Sequence, residues 1–259
     1  MEDAAIVGVT FGEEQFGAAQ LGDQRRTRRL VELANRIASH PGGTLPDKVN
    51  SPASLKALYR LMDCEKVTHR SVLESPRQRT LEKMAAAEGT VLVIHDGTEL
   101  DFTGLKSIAE LGQIGDGGGR GYVAHNVLAV VAQTREVLGL AYQHLARRPT
   151  VTKKETRDEQ RNRADRESRW WKTASKQIPG PTPGRRQVEV ADRGADVLEF
   201  LDFMESAGKH YLVRSKHNRR ISLENGEKTK LHDFARTLPA GGSRTVEVGA
   251  TARHPARTA

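Results

Sequence analysis

The apolar positions of this chain keep a helical period first and a strand period later. Leu30, Leu33, Ala34 and Ile37 fall at i, i+3, i+4 and i+7, which predicts an amphipathic helix within residues 20–39. Asp23, just after Gly22, is placed to cap it, and Pro41-Gly42-Gly43 ends it. Arg25, Arg29, Glu32 and Arg36 repeat on another face, and Arg26 and Arg28 add to the basic density. Ser51 or Ser54 caps a second predicted helix through Leu55, Leu58, Tyr59 and Met62. A third runs from about Thr68 to Ala87 despite Pro76. These three helices predict a small helical domain over residues 1–88.

The period then shortens. Thr90 to His95 is a β-branched apolar run that reads as a buried strand ending at Asp96-Gly97. A Gly-rich stretch, Gly112 to Gly121, leads into two long strands, Tyr122 to Ala132 and Glu136 to Leu145, joined by Gln133-Thr134-Arg135. A polar, basic segment over 146–168 leads into a helix through Trp170, Trp171 and Ala174, which Pro179, Pro181 and Pro183 terminate. Val188 to Ala191 is a fourth strand ending at Asp192. Ala195 to Ser206 is a helix with Val197, Leu198, Leu201 and Met204 on one side, and Tyr211 to Val213 is a fifth strand. The order βββαβαβ predicts an α/β fold with a mixed sheet over 89–217, behind the helical domain. Residues 218–259 carry no strong core segment, and no internal repeat is visible.

Composition narrows the classes. At 259 residues, 37% hydrophobic and 29% charged, the chain is polar for a globular protein but too apolar and too patterned to be wholly disordered. No run approaches the roughly 18 apolar residues of a membrane span, and the acidic start lacks the basic region of a signal peptide. Cys64 is the only cysteine, which excludes an internal disulfide or a cysteine-built zinc site and fits a reducing cytoplasm. The net charge is +8, with a pI near 9.7. It is unevenly placed: residues 146–172 carry +5, residues 209–259 carry +7, and the remainder is acidic. Two basic segments in one chain point to a polyanionic partner such as nucleic acid.

Two acids share one kind of position, Asp96 after the first sheet strand and Asp192 after the fourth. The carboxyl ends of neighbouring strands converge on one crevice in open α/β sheets. Two carboxylates brought together there repel unless a cation sits between them, and Mg²⁺ favours a few carboxylates plus water and phosphate oxygens. On spacing alone, each Asp can equally be a turn residue, as Asp-Gly commonly is. Other chemistries lack their motifs. Gly117-Gly118-Gly119 is followed by Arg120-Gly121 rather than the Gly-Lys-Ser/Thr of a P-loop, the nine histidines include no His-Glu-x-x-His, and no Gly-x-Ser-x-Gly occurs.

The segments AAQLGDQRRTRRL (Ala18 to Leu30), SLKALYRLM (Ser54 to Met62), VIHDGTEL (Val93 to Leu100), GYVAHNVLAV (Gly121 to Val130), VADRGADVL (Val190 to Leu198) and YLVRSKHNR (Tyr211 to Arg219) resemble, in this order, bacterial DDE transposases of the insertion-sequence-four (IS-four) type, transposon-five-like. The resemblance implies a ribonuclease-H-like catalytic domain over 89–217 behind an N-terminal DNA-binding domain over 1–88. Asp96 and Asp192 would be the first two catalytic residues and ligands of Mg²⁺ (or Mn²⁺), used to nick transposon ends and join them to target DNA. Arg25, Arg26 and Arg29 fall where that family contacts transposon-end DNA, and Arg214 and Lys216 are expected to contact phosphates beside the active site. The implied partner is double-stranded DNA, with a homodimer in the DNA complex, in the bacterial cytoplasm at the nucleoid and not in a membrane.

The family's third carboxylate is a Glu in a Tyr-x2-Arg-x3-Glu helix. Here Tyr211 and Arg214 have that spacing, but Asn218 stands at the acidic position and Tyr211 lies in the fifth strand. Relatives continue through a β-rich insertion before that helix, so 218–259 is expected to be the poorly ordered start of the insertion, in a truncated transposase. Such a chain either keeps part of the DNA chemistry or acts as a non-catalytic DNA-binding or inhibitory fragment.

Overall fold

The computed structural model describes residues 9–49, 51–148, 156–163, 165–243, 245–251 and 254–258. The chain divides into two compact units, Met1–Arg214 and Ser215–Ala259. The first unit begins with α1 (Phe11–Phe16), α2 (Gln24–Ser39), α3 (Leu45–Val49), α4 (Pro52–Met62) and α5 (His69–Ala86). Asp23 caps α2 as expected, its carboxylate accepting from the Arg25 N–H. The short α1 and α3 escape a periodicity search, but α1 carries a local signal. Thr10 and Glu13 form a reciprocal capping box that satisfies the first free amides.

Leu33, Val49, Leu58 and Leu61 form the buried centre of the helical region, with Leu30, Leu55 and Val67 around it. This corrects the expected apolar side of α4. Tyr59 and Met62 are more than half exposed, because the buried line runs through Leu58 and Leu61. Pro76 lies inside α5, and Thr80 uses the carbonyl four residues back by donating its hydroxyl to the Pro76 oxygen at 2.9 Å.

The sheet consists of β1 (Thr90–Asp101), β2 (Gly112–Ile114), β3 (Gly119–Val131), β4 (Val137–Ala146), β5 (Arg186–Ala191) and β6 (His210–Val213). Its order is β2-β3-β1-β5-β6, with β4 also paired to β3. β1, β3 and β4 are antiparallel, while β5 and β6 run parallel to β1 and to each other. The result is a mixed α/β sheet behind a helical N-terminal region. Between β4 and β5 lie α6 (Arg157–Asn162), a 3-10 turn (Glu167–Arg169) and α7 (Trp170–Lys176). A second 3-10 turn (Arg193–Ala195) and α8 (Leu198–Ser206) separate β5 from β6.

One face of the sheet supplies all the buried clusters formed with helices. Val91, Val93, Val127 and Ala129 pack with Met84 of α5 and Ala174 of α7, and Ala191 packs with Phe200 and Met204 of α8. α8 buries Met204 and packs Val197 and Leu201 against the same cluster as expected, but Phe200, 1% exposed, takes the place of Leu198, which is 66% exposed. The alternate side chains Leu92, Ile94, Leu128, Val130, Val188 and Val190 face the other way and belong to none of these clusters.

β1 differs from expectation in a way that affects the site. It does not end at Asp96-Gly97 but continues to Asp101, because β3 pairs with it along its whole outer half, down to Asp101 opposite Gly121. Gly121 is required there, since a Cβ would overlap the Leu100 carbonyl oxygen. The second unit holds a small hairpin of β7 (Arg220–Ser222) and β8 (Lys228–Lys230), then α9 (Leu231–Thr237), and β9 (Glu247–Val248) paired with β10 (Arg257–Thr258).

Candidate active site and nucleic-acid interface

The parallel pairing of β1 with β5 stops at His95 opposite Ala191, although β1 itself runs on. Asp96 and Asp192 are the next residue on each strand, so both acids stand at one level where the two strands part. Both are exposed. Asp192 caps the 3-10 turn that follows, accepting from the Gly194 N–H at 2.8 Å. Gly194 lies against Trp171, where a Cβ would be 2.6 Å from the indole. Among the described residues, the Asp96 carboxylate has no hydrogen-bond or ion-pair partner.

The two acids line one cleft of about 540 Å³ with Glu99, His125, Arg148, Glu167, Trp170 and Trp171. Arg148 holds both glutamates. It grips Glu167 through two hydrogen bonds of 2.8 and 3.0 Å and also pairs with Glu99. The Arg148 hydrogen bond keeps the Glu99 carboxyl below its ordinary pKa. Four carboxylates against one guanidinium leave the cleft at a formal −3 in a chain of net +8. A polyanion cannot approach such a cleft without a cation between them.

The acid pair fits a divalent ion. Among the described residues each carboxylate keeps at least one oxygen free of protein donors, and no third His, Cys, Asp or Glu groups with them. Mg²⁺ accepts such a setting, because it binds through one or two carboxylates and keeps water or phosphate oxygens elsewhere.

Below the cleft is a buried polar chain that the sequence did not reveal. His95 Nδ1 lies 3.2 Å from His125 Nε2, and His95 Nε2 lies 3.0 Å from Glu189 Oε2. The other Glu189 oxygen accepts from Ser175 at 2.7 Å and from the Lys209 ammonium at 2.8 Å. Burial pushes the Glu189 carboxyl pKa up, but the bonds from His95 and Lys209 outweigh this and leave it below its ordinary value. Burial lowers His125 to about 4, with small repulsions from His95 and His144 in the same direction. The chain links β1, β3, β5, α7 and Lys209 directly beneath the acids.

The candidate DNA-contacting residues fall in different settings. Arg25 is largely exposed and pairs with Asp23 at 2.9 Å. Its hydrogen bonds lower the Asp23 carboxyl to about 2. Arg26 turns inward, donating to the Leu21 carbonyl at 2.8 Å, and Arg29 pairs with Glu32 at 2.8 Å. Arg28, on the same helix, is exposed with no partner among the described residues. Lys56, Tyr59 and Arg60 of α4 are also exposed and carry the same basic, aromatic character. Arg214 continues β6, its N–H donating to the Ala191 carbonyl at 3.1 Å, which puts it beside Asp192. Lys216 belongs to the second unit. In the basic segment 146–172, residues 149–155 and Ala164 lie outside the described residues. In the described remainder, Arg166, Arg169 and Lys172 all approach Glu199, at 2.9 to 3.6 Å.

A helical region with a row of arginines on α2 thus precedes a sheet with an acidic cleft. Residues 10–67, from the cap of α1 to just before that of α5, match the transposase DNA-binding family. That match supports a transposase with DNA as its partner. No helix among the described residues is long and apolar enough to cross a membrane.

Proposed function

We propose that the chain is a DDE-type transposase of the insertion-sequence-four type, with a ribonuclease-H-like sheet carrying Asp96 and Asp192 as ligands of Mg²⁺ (or Mn²⁺). The observation that carries this reading is the placing of the two acids side by side where β1 and β5 part, within a chain whose residues 10–67 match a transposase DNA-binding family. The strand order also favours it: three antiparallel strands, β4-β3-β1, followed by two parallel ones, β5-β6. The helical region grips transposon-end DNA through Arg25 and Arg29, and Arg26 fixes the turn leading into α2. Arg214, exposed and with its backbone beside Asp192, supplies a cation for phosphates that reach the cleft, and Lys216 is a further candidate for a phosphate contact. The bound ion would neutralise the carboxylates and a phosphate oxygen together. The protein's own part is to hold the acids at a fixed separation and to supply cationic side chains along the backbone.

Because no third acid groups with the pair among the described residues, a second reading is a transposase chain that binds DNA ends and the ion without completing strand transfer, alone or paired with a second copy. Two measurements on the full chain test both readings. Calorimetric Mn²⁺ titration should show binding that Asp96→Asn abolishes. Incubation of end DNA with Mn²⁺ should then show nicking that depends on Asp96, or steeply salt-dependent binding without nicking, which selects the second reading. Loss of neither Mn²⁺ binding nor DNA chemistry in Asp96→Asn would remove this acid pair from the site.

A further inference from the structure

On the face of the sheet that carries Asp96, a row of amides runs from the edge of the sheet to the acids. His69, the first residue of α5, places Nε2 2.8 Å from Gln143 Oε1 on β4. Gln143 Nε2 donates to Asn126 Oδ1 on β3 at 2.6 Å. Asn126 is the direct cross-strand partner of Asp96 on β1, so their side chains share a face with Cβ atoms about 5 Å apart. The row has one direction. Gln143 uses its NH₂ on Asn126, so its oxygen must accept, and His69 must carry the Nε2 proton. Asn126 in turn directs its oxygen at Gln143, which leaves its NH₂ to be offered elsewhere. Among the described residues that NH₂ makes only a long 3.4 Å approach to the Ala124 carbonyl.

From this geometry, and resting on the reading of Asp96 and Asp192 as an ion-binding pair, we infer that Asn126 is a phosphate-binding residue beside Asp96, oriented by Gln143 and His69. It presents N–H donors to a non-bridging oxygen of a DNA phosphodiester and is not a third metal ligand. Its oxygen is turned toward the Gln143 NH₂ on β4, and an amide N–H repels a cation but suits an anionic oxygen held beside the acids. The row also starts at the helix that follows the DNA-binding segment, so the orientation of a cleft donor depends on where α5 sits.

Two titrations on the full chain test this. In the first, Mn²⁺ affinity is measured by calorimetry. Asn126→Ala should stay within about two-fold of wild type, since Asn126 is not a ligand, while Asp96→Asn should lose binding. Gln143→Glu can still accept from His69 but can no longer donate, so Asn126 must turn its NH₂ toward Glu and its oxygen toward the acids. Mn²⁺ should then bind about five-fold or more tightly, a gain that shrinks in Asn126→Ala/Gln143→Glu, where only the added charge remains. In the second titration, a thymidine dinucleotide is added to the Mn²⁺-loaded protein and its ³¹P line broadening is followed. Asn126→Ala and Gln143→Glu should weaken its binding about ten-fold or more, the worth of one hydrogen bond to a charged oxygen. Gln143→Ala, which leaves Asn126 present but unoriented, should fall between and guards against a misfolded Asn126 variant. A ten-fold loss of Mn²⁺ affinity in Asn126→Ala would make it a ligand and overturn the inference. So would unchanged dinucleotide binding in all three variants while Asp96→Asn still loses Mn²⁺. If wild type binds no Mn²⁺, the ion-pair reading falls as well, and the inference with it.

Discussion

His125 offers a sharp test of the electrostatics beneath the cleft. Its ring is 1% exposed, and burial, aided by His95 and His144, moves its pKa from 6.5 to about 4. The folded value lies below the unfolded one, so as pH falls the unfolded chain takes up this proton first. Stability from this group is therefore complete above pH 6.5 and is lost progressively down to about pH 4. At 1.36 kcal/mol per pH unit the loss is about 3 kcal/mol over the window. Other groups titrate there too, among them Glu189 and His144, both below their ordinary values, and the neighbouring Lys209 and His95 stand in the same chain. A comparison of wild type with His125→Gln removes these shared contributions.

The variant keeps a neutral polar group but weakens the 3.2 Å contact to His95, at a cost of about 1 kcal/mol at pH 7. Below pH 6.5 only the wild type pays for keeping a neutral imidazole. The two stability curves should cross near pH 6, and by pH 4 the variant should be the more stable by about 2 kcal/mol. Urea unfolding followed by tryptophan fluorescence at half-unit steps from pH 7.5 to 4 measures this directly. Parallel curves, with a constant gap across the window, would refute a neutral buried His125.

Three further outcomes follow from the packing and the helices. Phe200→Ala, at a side chain 1% exposed against Ala191 and Met204, should cost about 3–5 kcal/mol in urea unfolding. Gly194→Ala drives a Cβ to 2.6 Å from the Trp171 ring, whose rigidity leaves little room to yield; it should cost about 1–3 kcal/mol in the same assay and weaken Mn²⁺ binding by displacing Asp192. Arg28→Ala should leave thermal stability unchanged and reduce the salt slope of DNA binding by about 1, whereas Arg36→Ala should lower the melting temperature, because Arg36 donates to the Val49 carbonyl at 2.7 Å.

What could be read from the sequence was what depends on one element at a time. The α2 helix, its Asp23 cap and its arginines follow from period and capping chemistry, and so do the five strands that alternate or run apolar. Errors arise where a neighbour decides. Leu61 joins Leu58 in the buried line of α4 while Tyr59 and Met62 are exposed, because of where α2 and α3 lie, and Phe200 rather than Leu198 is buried in α8 because Ala191 and Trp171 face it. The glutamates at 99 and 167 look like ordinary surface acids until Arg148 joins them across 49 and 19 residues of chain. The His125–His95–Glu189–Lys209 chain spans three strands and is invisible to any linear pattern. His125 and Asn126 lie inside the strand GYVAHNVLAV, where two adjacent polar residues in an apolar strand are the one hint that both of its faces bear polar groups.

The same distinction applies to Asp96, whose place in the sheet differs from the strand end that its sequence suggests. Asp-Gly after an apolar run reads as a strand end, and the turn it commonly marks is the bland interpretation of that dipeptide. The chain makes no turn there. β1 continues for five more residues against β3, and only its parallel neighbour departs, as β5 gives way to the 3-10 turn capped by Asp192. Losing one partner while keeping the other gives Asp96 a rigid backbone and an open flank together. A carboxylate on a free loop would have the opening without the rigidity, and one inside a fully paired strand the rigidity without the opening. The acid pair therefore depends on the unequal reach of the two strands beside β1, a property of pairing that neither segment carries alone.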